Sequence, residues 1–168
     1  IPSFNPNVPR EPLKDNDKVA WNNLVEEDQL NMLYEVWKNP NITDGLEPGS
    51  VFKAITTAIS LETKSSTPAS LYECTGSIEI APGVRIYCAR SYDPHGLQTM
   101  EEALVNSCNP AFVQIVREIG PQRFYSYLES LHLNTRSDVD LPAEPRSIMA
   151  PSIGEFSDMQ MATMSYGH

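Results

Sequence analysis

A serine and a lysine one helical turn apart, Ser50 and Lys53 in "EPGSVFKAITTAISLE" (residues 47–62), are the residues of this chain best suited to covalent chemistry. Positions i and i+3 share a helical face, so hydroxyl and amine fall within hydrogen-bond reach. A serine hydroxyl becomes a useful nucleophile once a base takes its proton, and a lysine can be that base when burial lowers its pKa toward neutrality. The surrounding residues supply burial. Phe52, Ile55 and Ile59 on one side and Val51, Ala54, Ala58 and Leu61 on another predict a central helix covered all round. The helix N-terminus also offers backbone N–H groups to a developing oxyanion. By itself the pair reads either as nucleophile and base or as an N-capping serine beside an unrelated lysine.

A second group lies 57 residues further on, at Ser107-Cys108-Asn109. An S-x-N triplet alone has no specificity, since Ser3-Phe4-Asn5 matches it too. At the end of a helix and followed by "PAF" it means more. Read as an extended link, it turns residues i and i+2 to the same side. Ser107 and Asn109 then face one way and can act on one site. Cys108, pointing the other way, reads as packing.

Metal-ligating residues cluster between these groups. Cys74 and Cys88 are symmetric about Ala81, the centre of a predicted turn, and an antiparallel hairpin brings them opposite one another. His95 follows seven residues after Cys88, with Asp93 two before it. Cys74, Cys88, Asp93 and His95 make a tetrahedral zinc set of structural type, all four positions filled by protein. A Cys74–Cys88 disulfide and a pair of reduced buried thiols are the alternatives.

The elements that must position these residues can be read from periodicity and caps. Residues 1–18 are proline-rich and read as extended chain or loop. Residues 26–38 carry Leu30, Leu33, Tyr34 and Trp37 at helical spacing, with Asn39-Pro40 as a stop. Residues 64–72 read as loop, and "GSIEIAPGVRIYC" as a hairpin. Thr99 and Glu102 form the capping-box pattern before "MEEALV". "PAFVQIVREIG" has proline at its start and Gly120 at its end, "PQRFYSYLESLHL" is the next helix, and Ser157 opens another. The result is a mainly helical segment with one hairpin.

Bulk composition narrows the function. The chain has 168 residues and a net charge of -10, with only 12 Lys and Arg. Nucleic acid is a poor partner for it, because binding to duplex rests on basic contacts to phosphate. No stretch of about 18 apolar residues is present, so no segment of this sequence reads as membrane-spanning.

The motifs together resemble the transpeptidase domain of class B penicillin-binding proteins. The residues that carry the resemblance are "PSFNPN" at 2–7, "LEPGSVFK" at 46–53, "HGLQTMEEALVNSCNPAFVQI" at 95–115, "DLPAE" at 140–144 and "MATMSYGH" at 161–168. The family's motif trio is S-x-x-K, S-x-N (commonly S-D-N) and K-[ST]-G. The last is missing here, since no lysine follows Lys64.

The resemblance implies an α+β fold of the serine β-lactamase and penicillin-binding-protein type, residues 1–168 supplying the helical subdomain and nucleophile helix. The first sheet strand and the K-[ST]-G part then belong to the remainder of the domain, and the isolated piece is expected to be inactive. It also implies peptidoglycan D,D-transpeptidation at Ser50 with Lys53 as base, Ser107 relaying a proton to the leaving amine, and Asn109 holding Lys53 and the substrate amide. Stem peptides ending in D-Ala-D-Ala are the implied substrates, β-lactams the inhibitors, and no catalytic cofactor is needed. The implied location is the extracytoplasmic face of a bacterial membrane, through an anchored parent. A Cys…Cys…His-Gly stretch like this one recurs among Gram-positive relatives, in keeping with structural zinc. A β-lactam sensor that stays acylated and a zinc-stapled module with an accidental S-x-x-K are the competing readings.

Overall fold

A computed structural model describes residues 5–12, 14–141, 144–147 and 149–168. Residues 2–4 of the "PSFNPN" stretch and 142–143 of "DLPAE" lie outside these. Two compact units divide the chain: residues 1–45 with 139–145, and residues 46–138 with 146–168.

The first unit holds three helices, α1 (Asp15–Trp21), α2 (Glu26–Trp37) and α3 (Pro40–Thr43). Residues 15–18, expected to be loop, begin α1. Asp15 and Asp17 in its first turn complement the partial positive charge of the helix N-terminus. In α2 only Leu33 is buried; Leu30 and Tyr34 are exposed, and Trp37 donates from its indole nitrogen to the Pro9 carbonyl at 2.6 Å. Lys38, in an extended conformation, ends that helix, and Asn39 starts the next. Its side chain accepts from the Asn41 N–H while Pro40 takes the first helical position.

In the second unit a 3-10 turn, Gly49–Phe52, runs directly into α4 (Lys53–Glu62). Four short strands follow: β1 (Leu71–Cys74), β2 (Ser77–Ala81), β3 (Val84–Tyr87) and β4 (Gly96–Thr99). Helices α5 (Met100–Val105), α6 (Asn109–Ile119), α7 (Pro121–Ser130) and α8 (Asp158–Met164) complete it, with a 3-10 turn at Ile153–Glu155.

The expected hairpin is β2–β3, antiparallel, turning at Pro82-Gly83 where Gly83 has φ 76°. A second antiparallel pair, β1–β4, was not legible in the sequence. It joins Leu71 to Thr99 and Cys74 to Gly96 across 22 to 28 residues of chain, and such distant pairing leaves no local turn signal. The expected capping box at Thr99 is formed, and a second one opens α8 at Ser157. Glu102 N–H donates to Thr99 Oγ1 at 3.1 Å and Gln160 N–H to Ser157 Oγ at 3.2 Å. Gly120, at φ 82°, closes α6 and opens α7.

The central helix is α6 rather than the one that follows Ser50. Ala111, Phe112, Val113, Ile115 and Val116 are fully buried, and α6 packs on α4, α7, α8 and β1. Helix α4 is buried on its Phe52, Lys53, Thr56 and Ile59 side only; Val51, Ala54, Ala58 and Leu61 are exposed. The expectation of burial all round is corrected to one covered face and one bare apolar stripe. No helix among the described residues is long and apolar enough to cross a membrane. Helices packed around small antiparallel sheets make the fold α+β.

Candidate active site

Ser50 sits in the 3-10 turn and Lys53 is the first residue of α4, so the tight turn sets their separation. The Lys53 ammonium donates to Ser50 Oγ at 2.9 Å and to Ser107 Oγ at 3.0 Å. Ser107 Oγ lies 3.0 Å from Ser50 Oγ, which closes a triangle of two hydroxyls and one amine. Any of the three can pass a proton to another with no intervening water.

Lys53 is 1% exposed and forms no ion pair among the described residues. Its neighbours are the rings of Phe112 and Tyr166, each 5.7 Å from Nζ. Burial therefore lowers its pKa from the ordinary 10.5, while the sulfurs of Cys108 and Cys88 pull the other way. A lysine that sheds its proton easily and touches a serine hydroxyl has the properties of a general base.

The turn that carries Ser50 is held from behind. Gly49, at φ 60°, donates its N–H to the Gly167 carbonyl at 3.0 Å, and Gly167 itself has φ 90°. The Thr56 hydroxyl donates to the Ser165 carbonyl at 2.8 Å, tying α4 to the end of α8. His168, which the sequence left unassigned, pairs with Glu47 at 2.8 Å.

The second motif is not an extended link. Ser107 adopts a left-handed conformation, φ 50°, and Asn109 is already the first residue of α6. Asn109 donates to the Tyr87 carbonyl at 3.3 Å rather than reaching Lys53. The sharp turn between them drives Cys108 into the core, with no exposed surface.

That turn changes which residues meet at the candidate ligand cluster. Cys74, Cys88, His95 and Cys108 bring their ligand atoms within 4.8 Å of one another, with Cys88 Sγ 3.5 Å from His95 Nδ1. Asp93, the expected fourth ligand, is instead largely exposed and paired with Arg90. Proximity in sequence to His95 favoured Asp93; the left-handed Ser107 delivers Cys108 instead. The odd third cysteine was the available signal.

All three cysteines are free. Cys74 and Cys88 are not cross-strand partners within one hairpin: Cys74 ends β1, and Cys88 follows β3 with its N–H on the Gly76 carbonyl at 2.9 Å. Burial opposes ionisation of Cys74, yet the N–H groups of Gly76 and His95, with the Cys108 and Cys88 thiols, together hold its pKa below the ordinary value. Burial pushes the Cys108 thiol up to about 12, helped by the neighbouring Cys74.

With the site's geometry established, its relatives can be placed. The family model of the penicillin-binding protein transpeptidase domain matches residues 2–168. The chain belongs to that family. Stage V sporulation protein D of Bacillus subtilis is 31% identical over 131 residues, covering 77% of this chain and 20% of that protein. A peptidoglycan D,D-transpeptidase FtsI homolog of Chlorokybus atmophyticus is 31% identical over 139 residues, covering 75% and 20%. Among solved structures, penicillin-binding protein 3 of Mycobacterium tuberculosis in complex with aztreonam superposes with a TM-score of 0.65 at 29% identity, covering 77% of this chain and 28% of that one. This transpeptidase-family chain thus spans about a fifth of the length of the curated relatives it matches.

Proposed function

We propose that this chain carries the acylation centre of a peptidoglycan D,D-transpeptidase. The observation that carries the reading is the Ser50–Lys53–Ser107 triangle around a buried lysine that has no ion pair among the described residues. Lys53, neutral, accepts the Ser50 proton as Oγ attacks the carbonyl of the penultimate D-alanine in a D-Ala-D-Ala stem peptide. The tetrahedral intermediate collapses by breaking the C–N bond. Ser107 delivers a proton to the departing D-alanine amine, leaving an ester on Ser50. A stem-peptide amine then attacks the ester and regenerates the serine. A β-lactam follows the first half, its ring C–N bond opening to leave the acyl group on Ser50. Asn109, anchored to the Tyr87 carbonyl, fixes the start of α6 beside this site.

The Val51, Ala54, Ala58 and Leu61 stripe supports reading residues 1–168 as part of a transpeptidase domain whose sheet segments cover that face. The reading includes an extracytoplasmic location, where peptidoglycan is built. Intact mass after incubation with a penicillin, on the full-length protein that contains this chain, tests the assignment. A penicillin-sized adduct absent from Ser50→Ala is expected; no adduct on the folded protein sinks the proposal. An adduct without turnover of any stem peptide selects the sensor instead.

The Cys74, Cys88, His95 and Cys108 set fits a structural zinc ion. Three sulfurs and one imidazole nitrogen are donors that zinc favours, and bond lengths of about 2.3 and 2.0 Å to a tetrahedral ion imply ligand edges of roughly 3.5 Å or a little more. The 3.5 Å between Cys88 Sγ and His95 Nδ1 matches that edge. A bound ion would clip the β1, β3 and β4 ends to the residue between Ser107 and Asn109. About one zinc per chain is expected by elemental analysis. Asp93→Asn should retain it and Cys108→Ser should lose affinity by at least ~10-fold, since removing even an outer-shell partner costs that much. Retention by Cys108→Ser, or loss in Asp93→Asn, would rule out this ligand set.

A further inference from the structure

Ser107 is held by a contact outside the motifs. A left-handed backbone is uncommon for a serine and persists only where surrounding structure enforces it. Three backbone bonds close the turn: Asn106 N–H to the Glu102 carbonyl at 2.8 Å, Ser107 N–H to Leu104 at 3.1 Å and Cys108 N–H to Ala103 at 3.0 Å. Asn106 is itself exposed, so nothing in its own packing fixes it. Its side-chain amide donates to Gln98 Oε1 at 3.0 Å.

Gln98 is an unusual residue for its place. It lies on β4 opposite Tyr72, on the buried face that also carries Cys74, and is 3% exposed. Its Nε2 has no hydrogen-bond partner among the described residues. A methionine of similar length would fill the volume without burying an unpaired donor. Among the described residues its side chain hydrogen-bonds to Asn106 alone, and turning both amides over preserves that bond. Through it, a strand fixed in a sheet grips the residue next to Ser107, whose hydroxyl must stay 3.0 Å from both Ser50 Oγ and Lys53 Nζ.

We propose that Gln98 and Asn106 are positioning residues that hold the Ser107 turn in register with Ser50 and Lys53. This rests on the acyl-transfer reading of Ser50. Neither residue touches the reacting atoms. The tether acts on the geometry of proton delivery and leaves binding of the acylating ligand unchanged.

The test uses Gln98→Met and Gln98→Glu in the full-length protein that contains this chain, with a fluorescent penicillin as acylating probe. In Gln98→Met the acylation rate constant is expected to fall about 10- to 100-fold, the range for reacting groups misplaced by an ångström or less. The Kd before acylation should stay within about twofold, because the tether does not contact ligand. The unfolding midpoint should hold or rise, since an unpaired buried donor is gone. Gln98→Glu, which keeps the acceptor, should recover most of the rate. A merely structural glutamine would show the reverse: lower stability with an unaltered acylation constant. Amide exchange at Ser107 and Cys108, read by NMR, should quicken in Gln98→Met and not in Gln98→Glu. Wild-type acylation by Gln98→Met overturns the proposal. If the unaltered protein forms no adduct at all, the acyl-transfer reading fails and exchange decides the tether alone: quickened exchange upholds it and unchanged exchange overturns it.

Discussion

Replacing Lys53 by methionine should slow acylation of Ser50 by roughly 10²- to 10⁴-fold, the contribution typical of a positioned general base, while the protein stays folded. Methionine reproduces most of the lysine stem, so the space between Phe112 and Tyr166 remains filled. It removes the nitrogen that contacts both Ser50 Oγ and Ser107 Oγ. The fold should tolerate the change, because an ammonium that is 1% exposed and without an ion pair carries a desolvation cost that methionine does not.

The pH dependence separates a base from a structural lysine. Burial lowers the Lys53 pKa in the folded protein below its ordinary 10.5. The acylation rate should therefore climb with pH as Lys53 loses its proton and flatten above that lowered pKa. The methionine variant should lack this limb. For stability the sign follows from proton counting. Between the folded pKa and 10.5 the unfolded chain binds more protons than the native one, so the Lys53 contribution to stability rises with pH across that window. Below it, both states are protonated and the native state carries the full penalty. Stopped-flow acylation and thermal unfolding across pH measure both effects. A methionine variant acylated within tenfold of the parent rate would remove Lys53 from the mechanism.

Gly167→Ala should be the most damaging single methyl group near the site. At Gly167 a Cβ would fall on the backbone oxygen, carbon and nitrogen of Gly49. Those atoms belong to main chain that carries Ser50 one residue later, so no side chain can swing aside. The φ of 90° adds strain for any residue with a side chain. Relief requires the two strands of chain to part, breaking the Gly49 N–H to Gly167 carbonyl bond of 3.0 Å and moving the serine.

A loss of about 3 kcal/mol or more is expected from overlap and backbone strain together. Acylation should fall at least 10²-fold in the molecules that remain folded, because displacement by about an ångström has that effect. Gly49→Ala is the control. No atom lies within 4 Å of its added Cβ and only its φ of 60° is unfavourable, so about 1–2 kcal/mol is expected. Urea unfolding of both variants beside penicillin labelling reads the difference. Equal stabilities would mean that the backbone crossing at Gly49 and Gly167 does not hold the serine turn.

What the sequence determined by itself about this protein is what short-range physics encodes. Ser50 and Lys53 meet because helical turns of either kind place i and i+3 on one face. The start of α5 was legible because a capping box needs only four consecutive residues, and Gly120 was legible because a helix commonly ends on a glycine. Placing Ser107 in the same site took the family resemblance, since no local rule joins residues 57 positions apart.

Tertiary structure decided the rest, wherever the partner lies far along the chain. Strands β1 and β4 exist through each other, and their four-residue lengths carry no period to read. Helix α4 looked buried on every side because composition records apolarity and not which neighbours are present; within this chain α6 is the centre and the Val51 stripe is bare. The candidate ligand cluster holds Cys108 rather than Asp93 for a related reason. Sequence spacing measures distance along the chain, but a metal set is chosen by distance through space, and one left-handed residue at Ser107 turned the neighbouring cysteine inward. The pKa of Lys53 belongs to the same class, since desolvation is the sum of everything packed around an amine, drawn here from α4, α6 and the end of α8.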